Sequence, residues 1–341
     1  MNSFERVVAV LTHQQPDRVP VFLFLTVHGA KELRLSLKEY FSRAGHVVEA
    51  QKRMLRKYGH DCVYPLFYAA REAQAFGCEV IFYEDGPPNA GGPVITRSED
   101  IDGLEVPDPS ESVLSEPLRA IELLADELKG EVPIISGVVA PFSLPVMLMG
   151  FENWMDLFLF GDKDARDKLL KKTQRFCVSW ANAQLKAGVD ALGYFDPLAT
   201  SDMITRDEFL KYDFKLTKDT IKKIKGPVAY AGAGGRFWHI IDLIPDTGAA
   251  GVVISSKDAL GDVKAVIGGR ITVMGNLNNV EMAGWTIEDA KSEVERCLRQ
   301  GKPHGGYILA DQHGEIPYYV KDDVLHAIVE TVEKHGRYGR H

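Results

Sequence analysis

Gly305-Gly306-Tyr307-Ile308-Leu309-Ala310-Asp311-Gln312-His313-Gly314-Glu315-Ile316-Pro317 sets the architecture expected of the whole chain. A glycine pair ends the preceding helix, a short apolar run follows, and Pro317 bars continuation beyond a dense polar cluster. This is the pattern of a buried strand delivering Asp311, Gln312, His313 and Glu315 to an open end. It predicts the last strand of a barrel whose other strands bring their own polar ends to the same mouth.

Similar apolar runs recur through the chain. Val19–Leu25 ends in Thr26 and His28. Asp61–Leu66 is interrupted by Pro65 and leads to Tyr68 and Glu72, followed by a Gly/Pro-rich excursion over 85–93. Val132–Val139, Ala191–Phe195, Val228–Ala231, Ala250–Ser255 and Ile271–Asn276 complete the set. Helical stretches separate them: 36–57, 114–128, 164–187, 206–225, a helix from Phe237, and 287–299, with 322–334 closing the chain. A short helix near residues 2–11, with a Ser cap and a nearby Glu, precedes everything.

Strands alternating with helices imply parallel pairing through crossovers. Eight of them over one continuous length favour an α/β fold with a single closed (β/α)8 TIM barrel over 1–341, carrying an N-terminal helical extension. No Rossmann or phosphate-loop fingerprint follows a strand; Gly232-Ala233-Gly234-Gly235 lacks the spacing.

The bulk composition is that of a globular protein, with 45% hydrophobic and 26% charged residues. A net charge of −8 without any basic run argues against a nucleic-acid groove. The four cysteines, Cys62, Cys78, Cys177 and Cys297, form no CxxC pair, and no apolar span is long enough for a bilayer. With no charged and apolar leader at the start, a reduced cytoplasmic protein is expected.

Function in such a barrel belongs at the strand C-termini. The polar residues there are Thr26, His28, Tyr68, Glu72, Asp196, Tyr230, His239, Ser255, Lys257, Asn276, Asp311 and His313.

With these motifs in place, the chain resembles the uroporphyrinogen decarboxylase superfamily over nearly its full length. The resemblance rests on Pro16-Asp17-Arg18-Val19-Pro20-Val21, Phe151-Glu152-Asn153-Trp154, Asp196-Pro197, Gly275-Asn276-Leu277-Asn278 and His313-Gly314. Decarboxylases of that superfamily carry an arginine after the first strand and an aspartate after the second. Here those stretches read Leu25-Thr26-Val27-His28-Gly29 and Leu66-Phe67-Tyr68-Ala69, so a tetrapyrrole with many carboxylates would find few cationic partners. The other branch comprises methylcobamide:coenzyme M methyltransferases, whose zinc-thiolate motif is His-x-Cys after the fifth strand and Cys after the eighth. Residues 85–88, 142–154 and 196–204 look more like this branch, yet its ligand positions are Tyr230, Gly232 and His313. The thiolate site is absent; zinc held only by His, Asp and Glu stays open.

The resemblance, less its thiol chemistry, implies the other half-reaction. A methyl donor would give its methyl group to cobalt(I) of a corrinoid (cobalamin) carried by a separate partner protein. An aryl methyl ether leaves as a phenolate, whose conjugate acid has a pKa near ~10, so the oxygen needs a proton as the bond breaks. His313 or Tyr230 is the expected donor, oriented by Asp196 and Asp311. Phe142, Met147, Met149, Phe151 and Trp154 would line the donor slot or receive the corrinoid; His28, Tyr68, Asn276 and His239 complete the expected binding set. Each has a plainer alternative. His313 could be a hydrogen-bonded strand end, Asp196 a helix cap, Tyr230 and the 145–160 run core packing, and His28 and His239 surface groups. The rival reading is a decarboxylase of another small carboxylate, which needs Lys257 or Arg71 pointing inward. A third is a non-enzymatic corrinoid- or tetrapyrrole-binding barrel. A homodimer is compatible with all three.

Overall fold

The computed structural model describes residues 1–312 and 314–339. The chain is a (β/α)8 barrel. A two-stranded hairpin, β1 (Val80–Ile81) and β2 (Asn89–Ala90), carries the Gly/Pro-rich excursion. Six parallel strands then follow in sequential order: β3 (Ile135–Val139), β4 (Ala191–Phe195), β5 (Val228–Ala231), β6 (Gly251–Val253), β7 (Thr272–Leu277) and β8 (Tyr307–Asp311).

The first two expected strands close the ring as extended staves with isolated bridges. Val21 pairs in parallel with Leu309, and Val63 with Ile134. Asp61 N–H donates to the Val21 carbonyl at 2.7 Å, joining the two staves. Pro20 and Pro65 remove ladder donors on these staves, which accounts for their irregularity. Other expectations need redrawing. The 36–57 stretch is two helices, Leu37–Tyr40 and Ala44–Tyr58, preceded by a helix over His28–Leu33. The 206–225 stretch is broken by a π-helical turn at Phe209–Asp213.

Side chains alternate across each stave and strand. Phe22, Phe24, Cys62, Tyr64, Ile135, Ala231, Val253, Met274, Ile308 and Ala310 pack together inside the barrel. Their neighbours Val21, Leu23, Leu25, Leu192, Tyr194, Val228, Tyr230, Val252 and Leu309 pack outward against the helices. Both faces of every strand are thus apolar, as a closed parallel sheet requires.

The helix Ser3–Leu11 presents Val7 and Val10 to the inner layer and so seals the base. Its cap is Asn2 rather than Ser3: the Asn2 side chain accepts from Glu5 N at 2.8 Å, and Glu5 accepts from Asn2 N at 3.0 Å. Ser3 instead donates to Asp61 at 2.8 Å. The segment 16–21 meets that same carboxylate. Arg6 and Arg18 approach fully buried Asp61 at 2.7 and 2.6 Å, and Val21 N–H donates to it at 2.8 Å.

Candidate active site

At the C-terminal mouth lies a cavity of about 290 Å³. Its room comes from small side chains on the inner face and beyond it, Gly137, Ala69 and Ala233. Phe24 and Phe195, stacked at 6.2 Å between ring centroids, form an aromatic wall with Phe67 and Tyr68. Pro87, Pro88 and Asn89 of the excursion lie over it, and Met147 closes one side.

Two acidic residues are part of the wall of this apolar space, Glu72 and Glu315. Glu72, on the helix Ala70–Ala75, accepts from Val139 N–H at 3.0 and 3.2 Å and from the Trp180 indole. Burial pushes its pKa up to about 8, against the lowering effect of those donors. Glu315 accepts from Thr26 N–H at 3.1 Å, Val27 N–H at 2.7 Å and the Thr26 hydroxyl. Burial raises it to about 7, with Asp311 adding to the rise. Both therefore hold a proton far more readily than an ordinary glutamate.

A carboxyl whose folded pKa lies above its unfolded value favours the fold below about 4.5, and that contribution is lost as pH rises through the folded value. The melting temperature is expected to fall between pH 5 and pH 9, and to fall less in Glu72→Gln. Parallel wild-type and variant melts across that range check this; identical slopes would contradict it.

Of the expected binding residues, the structure brings Tyr68 and Met147 to the cavity. Phe142, in the turn after β3, and Trp154, on the helix Phe151–Leu159, are fully buried against Phe158 in the outer core. Asn276 donates to the Ser255 and Asp258 carbonyls, both at 2.9 Å, and receives Arg296, so it ties loops to the helix Ile287–Gly301. His28 lies in the helix His28–Leu33 beside Lys31 and Asp322, and burial lowers it to about 3. His239 sits in a 3₁₀ turn near Arg206 and Asp258, lowered chiefly by burial. None of these five lines the cavity.

The expected catalytic residues separate similarly. Tyr230 and Asp196 share the outward parity of Tyr194, so they meet behind the sheet instead of at the mouth. Tyr230 donates to Asp196 Oδ2 at 2.9 Å and reaches Asp213 Oδ2 at 3.4 Å. Ser143 donates to Asp196 Oδ1 at 2.6 Å, and Thr217 to Asp213 Oδ1 at 3.1 Å. All five are buried. Burial pushes both carboxyls up, Asp213 the more strongly because Asp196 sits against it, so the pair shares a proton. Asp311 is buried at the end of β8 and accepts from Phe24 N–H at 3.1 Å, fixing the stave that carries that ring. His313 lies outside the described residues.

Among the described residues no basic side chain lines the cavity. Arg71 is turned to the Val113 carbonyl at 3.0 Å, the Tyr68 hydroxyl at 2.9 Å and Gln74 at 3.0 Å. Lys257 is exposed. No cysteine lines the cavity either, and all four are buried and free. No group of three or more His, Cys, Asp or Glu placed to hold a metal occurs among the described residues. No helix among them is long and apolar enough to cross a membrane.

A closed parallel barrel with its open cavity at the strand C-termini is the architecture of a large class of enzymes. Within that class, the chain belongs to the uroporphyrinogen decarboxylase family, whose profile matches residues 2–335. Uroporphyrinogen decarboxylase of Alkalilimnicola ehrlichii is 25% identical over 332 residues, covering 92% of this chain and 89% of its own. That of Chromohalobacter salexigens is also 25% identical and covers 97% of each. Among solved structures, a methyltransferase from Methanosarcina mazei superimposes with a TM-score of 0.88 at 20% identity, covering 98% of this chain and 99% of that one. A B12-independent methionine synthase from Shewanella sp. W3-18-1 follows the same fold with a TM-score of 0.56 at 13% identity, over 85% and 88%.

Proposed function

We propose that this protein is a methyltransferase, the component of an O-demethylase system that removes a methyl group from an aryl methyl ether. One observation carries the reading: the mouth cavity is aromatic and apolar, bears carboxyl groups that favour their protonated form, and has no basic side chain among its described walls. A flat, uncharged donor suits such a space, whereas a polycarboxylate would lose its hydration without gaining an ion-pair partner. A corrinoid held by a separate protein would supply, as cobalt(I), the nucleophile that takes the methyl group. The rim offers such a partner apolar side chains: Met203, Trp238, Val280 and Tyr319, which follow β4, β5, β7 and β8, are all exposed.

The chain's own residues divide the remaining work. Tyr68, Met147 and the Phe24–Phe195 wall hold the ring, and the excursion over 85–93 keeps water off it. Asp311 fixes Phe24, while Asp196, Tyr230 and Asp213 brace β4 and β5 from behind. His313, the residue before Gly314 in the sequence, lies outside the described residues.

The test is to mix the purified chain with chemically reduced cobalamin and a panel of methoxyarenes, following the corrinoid spectrum. Methylation with methoxyarenes, and none with chain omitted, is expected. Carbon dioxide release from a carboxylated substrate, without methyl transfer from any donor, would replace this reading with the decarboxylase.

A further inference from the structure

Of the two groups expected to protonate the departing oxygen, Tyr230 faces away from the cavity together with its orienting partner Asp196, and His313 lies outside the described residues. A proton donor must come within hydrogen-bond reach of the atom it serves. Among the described lining residues, Glu72 is a buried acid in the cavity wall that can supply a proton. Val139 N–H and the Trp180 indole hold it in place.

We propose that Glu72 is the acid that hands a proton to the leaving oxygen of the methyl donor. The inference rests on the methyl-transfer reading above and adds a residue to it. When the O–CH3 bond breaks, its electron pair stays on oxygen, and the methyl group passes to the electron pair of the reduced corrinoid acceptor. The Glu72 O–H bond breaks toward the same oxygen, leaving a neutral phenol and a carboxylate that water reprotonates. The two neighbours that accept nothing from Glu72, Val139 N–H and Trp180 N–H, then stabilise the carboxylate.

The surroundings keep Glu72 protonated beforehand. Arg71, next in the chain, spends its guanidinium on Tyr68, Gln74 and Val113. The Cys177 thiol, close enough to feel Glu72, is neutral because burial pushes it up. Glu315 lines the same cavity and is itself raised. No cation among the described lining residues favours the carboxylate form.

The test uses two donors with chemically reduced cobalamin as acceptor. 2-Methoxyphenol has a poor leaving group that needs a proton, and 4-nitroanisole releases a stable phenolate without one. In Glu72→Gln, kcat on 2-methoxyphenol is expected to fall about 100-fold or more, and on 4-nitroanisole under about 10-fold, with KM unchanged for both. The wild-type rate should decline at alkaline pH through about 8, and that limb should vanish in the variant. Glu72→Asp, keeping the acid on a shorter stem, should recover part of the loss. An equal loss on both donors, or none, overturns the assignment of Glu72 while leaving methyl transfer standing. A wild-type chain inert with every donor removes the methyl-transfer reading, and Glu72 as its acid with it.

Discussion

Replacing Asp61 with Ala is expected to cost about 3–5 kcal/mol of folding stability, read as a lower urea midpoint. The carboxylate is fully buried and takes Arg6, Arg18, Ser3 and the Val21 N–H at once. Deleting it strands two guanidiniums, each less than a tenth exposed, without their central counter-ion. Asp17 is the internal comparison. It also pairs with Arg6, at 2.7 Å, but its side chain is 43% exposed. Asp17→Ala should therefore cost no more than about 1 kcal/mol. Equal losses in the two variants would show that burial is not what makes the Asp61 cluster matter.

The second large effect concerns Trp154. Expected from sequence at the donor slot, it is instead fully buried, tilted against Phe158 at 5.9 Å and edge-on to Phe142 at 6.1 Å. Trp154→Ala should cost about 3–5 kcal/mol through lost contacts and the void left behind. Folded variant protein, assayed at low temperature, should keep its KM for the methyl donor. The reverse pattern, unchanged stability with a raised KM, would put the indole in contact with the donor after all.

The difference between barrel and site shows what a linear pattern carries. Apolar runs bounded by Gly and Pro located all eight staves, because burial on both sides demands apolar residues at every position. That same uniformity concealed which face was which. In 191–196, Ala191, Gly193 and Phe195 share one side, and Leu192, Tyr194 and Asp196 the other. The small residues were the available sign of the crowded inner face, and weighing them would have turned Tyr230 and Asp196 outward. Glu315 stood in the decisive stretch and Glu72 among the mouth residues, yet neither looked special. Their raised pKa values come from a cavity assembled by distant segments, and no spacing along the chain encodes that. The 16–21 motif was legible as a family mark but not as part of the base, since three helices separate it from Asp61 along the chain.

Gly137 has one more implication. A methyl group built there would come within 2.4 Å of the Phe195 ring, and Phe195 already forms part of the cavity wall. What fits inside is therefore decided by a position with no chemistry of its own. Relatives sharing every reactive group could still differ in the molecules they admit, merely by exchanging hydrogen for carbon at that point. Selectivity in this barrel can drift while its reactivity stays put.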